Sequence, residues 1–363
     1  MRKYIFAFAM LLCSLTAMAQ EQQPDTVIIT LRNGTEVRYT SDQFDRIQVI
    51  FNLHYGVKVY LKNGKSKDYL ASQVTYAKYH QGGQGGEITD NNVNRNRYRA
   101  KLLEYPHLAA DSTMNQLVIK STSNYGITFS LEWSYADKAN RWTCYQLHDG
   151  NLESNVTRTD DFKEDTAIPK QYRTTLKNYK NNKSSLNSNN SFSRGHLCPS
   201  ADRLCSTEQN KQTFFLSNMQ PQYQLHNGGL WGTLEERVRQ CAESSDIDTL
   251  YVVKAATIRA DQLLPEKCVG EEGELIVPKY FYMALLAYNK STNKYQAIGI
   301  WTEHKNETES YKTNKLAHYA KSIDDLEEMT GIDFFCNLPD DIENEVESSF
   351  DLNYWNNRGF AVK

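Results

Sequence analysis

Between residues 80 and 96 the chain reads HQGGQGGEITDNNVNRN, rich in Gly, Gln and Asn and almost without core-forming side chains. Such a segment cannot bury enough apolar surface to offset the entropy of ordering it, so 80–96 reads as a flexible linker. The 363 residues therefore pose two separate folding problems, a short one before the linker and a long one, 97–363, after it.

At the start of the short piece, residues 1–19 place Arg2 and Lys3 before an apolar run that ends at Ala17-Met18-Ala19, a small-x-small cleavage site. They read as a cleaved signal peptide and predict a secreted or periplasmic protein. That apolar run is too short for a bilayer, and no later window supplies the roughly 20 apolar residues a helical span needs. Lys+Arg 41 against Asp+Glu 44 gives a net charge of −3, and removal of Arg2 and Lys3 takes it to −5. Bulk charge thus offers no argument for nucleic-acid binding, and any basic surface must be local. Loss of Cys13 leaves Cys144, Cys198, Cys205, Cys241, Cys268 and Cys336. An even number in an exported chain predicts disulfides. A zinc site from Cys198, Cys205 and His226 is the rival reading, without the compact Cys-x-x-Cys pairs of structural zinc motifs.

The segment DTVIITLRNGTEVRY (25–39) alternates apolar and polar residues around Asn33-Gly34, a pair suited to a tight hairpin turn. Thirty residues later VKVYLKNGKSKDY repeats it, with Val27/Val57, Leu31/Leu61, Asn33/Asn63, Gly34/Gly64, Tyr39/Tyr69 and Gln43/Gln73 in register. Residues 24–79 are therefore expected to form a duplicated β-hairpin module, two copies of two strands. It carries no cluster of titratable residues that looks catalytic, which suits an accessory module with a protein or surface partner. The longer piece mixes strand-like runs (250–253, 280–287, 295–300) with helix-like ones (230–242, 322–330), which indicates an α+β domain.

Polar residues fit for acid–base or metal chemistry crowd into SFSRGHLCPSADR (191–203) and NMQPQYQLHNGGLWGTLEERVR (218–239). Ser193-Arg194-Gly195-His196 matches an Asp-Arg-Gly-His hallmark. Asn218-Met219-x-Pro221-Gln222 and Asn227-x-x-x-Trp231-x-x-Leu234-Glu235-x-x-x-Arg239 follow it. Arg158 with Phe162 and Asp165 fits a catalytic-arginine segment upstream, and Thr330-Gly331-Ile332-Asp333-Phe334-Phe335 fits a closing helix and strand. On these motifs, in this order, residues 97–363 resemble the DNA/RNA non-specific endonuclease family, the ββα-metal nucleases. The resemblance implies a central antiparallel sheet flanked by helices and hydrolysis of phosphodiester bonds in DNA and RNA. It also implies one Mg2+, with Mn2+ as a substitute.

Phosphodiester hydrolysis needs a base for water, a cation against the charge building on phosphorus, and stabilisation of the leaving oxygen. His196 is the expected base, since an ordinary imidazole, with a pKa of about 6.5, is largely neutral at pH 7. Gly195 is read as permitting a turn ahead of it. Asn227 offers a neutral carboxamide oxygen suited to hard Mg2+. The stripe Leu230, Leu234, Val238 puts Asn227 just before or at a helix start. Glu235 lies roughly 12 Å further along the helix axis, too far to share one ion directly, so it is expected to reach the metal through water. Arg239, one turn on, is expected to pair with Glu235 and to lie near substrate.

Arg158 supplies a planar fork for two phosphate oxygens. Asn218 is expected to hold the site's geometry or the attacking water, and Arg194 to be structural or to face phosphate rather than to be catalytic. In KQYRTTLKNYKNNK (170–183), a helix begun by Pro169 would line up Lys170, Arg173, Lys177 and Lys180 along a sugar–phosphate backbone. Ser193 stands where the family has Asp. A hydroxyl replaces the hydrogen bond but not the charge, which implies a slower enzyme rather than a dead one. The rival reading is a catalytically weak or inactive protein on the same scaffold that binds nucleic acid or a cell surface.

Overall fold

The computed structural model describes residues 26–31, 36–40, 42–50, 56–70, 74–80, 102–109, 111, 113–179 and 192–361. The proposed signal peptide, residues 81–96 of the linker and Lys180 lie outside them. The chain divides into two compact units, Met1–Thr89 and Asp90–Lys363.

The first unit has six strands: β1 (Thr26–Leu31), β2 (Glu36–Thr40), β3 (Phe44–Ile50), β4 (Gly56–Leu61), β5 (Ser66–Leu70) and β6 (Val74–His80). Each copy of the repeat thus supplies three strands rather than two, and the third is exchanged. β6 of the second copy completes the sheet β2-β1-β6, while β3 of the first completes β3-β4-β5. The hairpin alone is only marginally stable in water, and a third strand supplies the missing pairing. Tyr39 and Tyr69, equivalent in the two copies, meet through their hydroxyls at 2.5 Å.

The second unit contains β7 (Asn115–Thr122), β8 (Gly126–Ser134), β9 (Ala139–Leu147), β10 (Ser193–His196), β11 (Met219–Gln222) and β12 (Thr249–Ala256). It continues through β13 (Leu263–Gly270), β14 (Gly273–Pro278), β15 (Tyr280–Asn289), β16 (Lys294–Glu303) and β17 (Ala320–Lys321). Seven strands form one antiparallel sheet in the order β17-β16-β15-β12-β9-β8-β7. Its inner strands are apolar on both faces because helices cover both. From β15, Phe281, Met283 and Leu285 pack with Leu234, Val238 and Cys241 of the Gly232–Ala242 helix. Tyr282, Ala284 and Leu286 point the other way, to Ile323 and Leu326 of the Ile323–Thr330 helix and Val346 of the Asp340–Glu347 helix. Each fully buried aliphatic side chain contributes roughly 1.5–3 kcal/mol of transfer free energy, so this two-sided layer dominates the domain's stability.

Two expectations, the disulfides and the closing strand, need correction, and the rival zinc site finds no support. All six cysteines are buried free thiols, each filling core volume as a small apolar side chain. Cys198, Cys205 and His226 form no metal-ligating group among the described residues: the Cys205 thiol bonds Gln209, and His226 bonds Gln222 and Thr302. After the Ile323–Thr330 helix ends on Gly331, with φ +70°, residues 332–335 run as irregular chain with Phe334 and Phe335 buried, not as a strand. Among the described residues no helix is long and apolar enough to cross a membrane.

Candidate active site

β10 and β11 pair as a two-stranded antiparallel ribbon, with Ser193 opposite Gln222, Gly195 opposite Gln220 and His196 opposite Met219. From β11 the chain passes through one helical turn, Gln224–His226, and a widened turn, Asn227–Trp231, into the Gly232–Ala242 helix. Arg194 and His196 thus stand on β10, Glu235 and Arg239 on the helix, Asn218 just before β11, and Asn227 in the widened turn between. Gly195 lies inside the strand rather than in a turn, and close approach is what requires it: a Cβ there would sit 2.0 Å from Gln222 Oε1. Ser193 Oγ donates to Gln224 Oε1 at 2.5 Å, tying the start of β10 to the turn before Asn227.

His196 is buried, and its Nε2 has no hydrogen-bond partner. Its ring meets Phe214 and Phe162 edge-on, with centroids 5.0 and 5.8 Å away. The same two rings carry the two arginines, Arg158 over Phe214 at 4.8 Å and Arg194 over Phe162 at 3.8 Å. Burial, then the charges of Arg158 and Arg194, push the imidazole down to about 3, so it is neutral at any ordinary pH.

The segment holding Arg158 is fixed from behind. Asp165, buried, takes an ion pair from Lys120 at 2.5 Å and a hydrogen bond from Ser217 Oγ at 2.6 Å. Lys163 hydrogen-bonds the backbone of Phe214 and Leu216. Arg158 itself is half exposed and pairs with exposed Asp160 at 2.6 Å.

Asn218 is fully buried. Its Oδ1 accepts from the Cys198 amide at 2.9 Å, and its Nδ2 donates to the carbonyls of Cys198 and Thr213 at 2.8 and 2.9 Å. Its amide is committed to backbone and locks the chain that leaves His196. Of the two expected roles, the geometry fits the structural one.

Asn227 is half-buried, and among the described residues its carboxamide makes no hydrogen bond, which leaves its oxygen available to a ligand. Glu235 stands in the first turn of the helix; its Oε1 is buried, has no hydrogen-bond partner, and lies 3.7 Å from Lys254 Nζ. Burial pushes the Glu235 carboxyl up to about 7 against the pull of Lys254. A carboxamide oxygen and a carboxyl oxygen without a hydrogen-bond partner are both hard donors, the type that Mg2+ takes.

Arg239 does not pair with Glu235. Its Nη1 binds Asp202 Oδ1 at 2.8 Å, because Asp202 is fully buried behind the helix and also accepts Tyr145 Oη at 2.6 Å. Burial alone would raise Asp202, but Lys254, Arg239 and the tyrosine hold it below the usual carboxylate range. Lys254, also fully buried, sits between Asp202 at 3.9 Å and Glu235. Sequence reasoning missed Lys254 and Asp202. The available signal was a lone charge in an otherwise apolar strand, Val252-Val253-Lys254-Ala255-Ala256.

The basic stripe is not a helix. Lys170–Tyr172 and Leu176–Asn178 are single 3-10 turns separated by extended Arg173, and Thr175 caps the second turn with Asn178. Arg173 turns inward to the Ile168 carbonyl, while Lys177 lies 3.6 Å from Glu272 on the β13–β14 turn. Gly270 permits that approach, since a Cβ there would meet the Lys177 carbonyl oxygen at 1.9 Å.

Residues 110–341 match the DNA/RNA non-specific endonuclease family. A nuclease from Nostoc sp. is 28% identical over 245 residues, 65% of this chain and 79% of that protein. The mitochondrial nuclease EXOG of Xenopus laevis is 28% identical over 222 residues, 59% of this chain and 58% of its own length. A nuclease of Serratia marcescens is 22% identical over 220 residues, 61% of this chain and 77% of that protein. The fold is similar to a chain in the crystal structure of the EndoG/EndoGI complex, with TM-score 0.51 and 19% identity over 70% of this chain and 96% of that one. With a match that takes in the β10–β11 ribbon, its histidine and all seven strands of the central sheet, this chain belongs to the DNA/RNA non-specific endonuclease family.

Proposed function

We propose that this protein is an exported, sugar-nonspecific endonuclease that cleaves DNA and RNA by hydrolysis, with residues 1–19 as its export signal. The observation that supports this most directly is the buried, unpaired Nε2 of His196 held beside two arginines. His196 takes a proton from water, and the resulting hydroxide attacks phosphorus in line while the 3′ oxygen leaves. Fragments with 5′ phosphates are the expected products. Arg158 holds the phosphate through its fork, and Arg194 faces the same charge. Asn218 acts as a positioning residue through the backbone it binds. Asn227 would hold Mg2+ directly, with Glu235 further out. When bound, the ion supplies positive charge against the negative charge that develops in the transition state.

The test incubates the mature protein with plasmid DNA and with RNA, in Mg2+ or EDTA, beside His196→Ala. Cleavage by wild type with Mg2+ and a loss of several hundredfold or more in the variant are expected. Equal rates for the two proteins would end the proposal, and binding without cleavage would favour a non-catalytic role.

A further inference from the structure

The sheet face away from the Gly232–Ala242 helix carries an acidic cluster that the nuclease chemistry does not use. Asp324 and Glu327 on the Ile323–Thr330 helix and Glu347 at the end of the Asp340–Glu347 helix each bring one carboxylate oxygen within 4.8 Å of the others. Glu347 is only 6% exposed, and its Oε1 is buried with no hydrogen-bond partner. The largest side-chain charges acting on it come from Glu327, Glu343, Asp333 and Asp324, each acidic. Glu327 Oε1 also accepts the Phe334 amide at 2.7 Å, which fixes its position beside Glu347. A buried carboxylate among like charges, with its oxygen unsatisfied, is strongly unfavourable unless a cation or a proton answers it.

We propose that Asp324, Glu327 and Glu347 bind a Ca2+ ion at a structural site separate from the nuclease centre. Oxygens on one Ca2+ lie about 2.3–2.6 Å from it and so up to about 5 Å apart, which spans the spread of this trio. Mg2+ demands bonds of about 2.0–2.1 Å and near-ideal octahedral geometry, which suits this set less well. Asp324 is exposed, so water can complete the coordination. The ion joins the two helices through residues on each, and its binding energy becomes stability of that layer.

The test is thermal unfolding of the full mature protein in metal-free buffer against CaCl2, with isothermal titration for stoichiometry. Wild type is expected to gain about 5 °C at a hundredfold excess over a Kd of about 0.1 mM. Glu347→Gln should abolish the gain, and Asp324→Asn, an exposed change that leaves folding intact, should weaken the affinity about tenfold or more. Asn227→Ala should keep the gain, because it removes only the site proposed for catalysis, so the two readings fail separately. Both Glu347→Gln and Asp324→Asn should retain Mg2+-dependent cleavage within about twofold. No calcium-dependent shift up to 10 mM would overturn the proposal (roughly a hundred times the expected Kd). So would a shift that persists in Glu347→Gln and disappears in Asn227→Ala; that result would put the ion at the nuclease centre.

Discussion

Gly195 and Gln222 approach so closely across the β10–β11 ribbon that a Cβ on the glycine would meet Gln222 Oε1 at 2.0 Å and Gln222 Cβ at 2.8 Å. The glutamine cannot swing aside, because its Nε2 is held at 2.7 Å by His226 Nδ1 and it is fully buried. Gly195→Ala should therefore pry the ribbon apart next to His196. Expected is a loss of about a hundredfold or more in cleavage with a stability cost of about 1–3 kcal/mol. Gln222→Ala in the same chain should recover part of the activity. A single alanine variant within threefold of wild type would remove this account of the glycine.

His196 is neutral far below the pH at which a free imidazole titrates. Over pH 5–8 the kcat/KM profile should lack the acid limb expected of a base near 6.5. Stability moves with the same group. The unfolded imidazole takes up a proton near 6.5 and the folded one only near 3, so acidification through that window favours unfolding, and the stabilising contribution is complete above it. His196→Ala should flatten that part of the stability curve, as denaturant midpoints at pH 4.5 and 7.5 would reveal.

Arg158 separates role from scaffold. Its pair with Asp160 is exposed and adds little to stability. Arg158→Ala should leave the melting temperature within a degree or two while cutting kcat/KM about a hundredfold. Arg158→Lys should fall in between, since an ammonium keeps the charge but loses the fork. An unaltered rate in Arg158→Ala would make this arginine an ordinary surface residue.

Lys254 is the cation between buried Asp202 and half-buried Glu235. Lys254→Met keeps the volume but strands Glu235 and weakens the field on Asp202, which Arg239 still holds. The expected cost is about 3–5 kcal/mol, or a fall of roughly 10 °C in melting temperature. Unfolding within 1 kcal/mol of wild type would mean that the lysine's charge is not needed there.

Residues 20–96 are proposed to be dispensable for the chemistry. A chain starting at Arg97 should cleave plasmid DNA at a rate within a few-fold of full length, measured on folded protein. Near-complete loss in a folded truncation would assign the β-module to the active site.

The readable parts share one property: their signal is local. Apolar runs long enough for doubly covered strands marked β12, β15 and β16, and the stripe Leu230, Leu234, Val238 marked the helix beside Glu235. The order of the short motifs pointed to the family that residues 110–341 match. What was misread depends on partners far along the chain. Arg239 turns to Asp202 rather than Glu235, and Lys177 to Glu272 rather than to a basic stripe. Extended Arg173 and the Thr175 cap break the expected helix at 170–183, an outcome set by contacts to Ile168 and Asn178.

Residue order alone pointed to the split at the linker, the duplicated N-terminal pattern, the α+β alternation and the nuclease family, because each rests on local composition, local periodicity or the order of short motifs. The fold decided which charges are answered. It buried Lys254 between two acids, left Nε2 of His196 and an oxygen of Glu347 without partners, exchanged β3 and β6 between repeat copies, and kept six cysteines apart. Those outcomes depend on desolvation and on distances between segments remote in the chain, neither of which a linear pattern encodes.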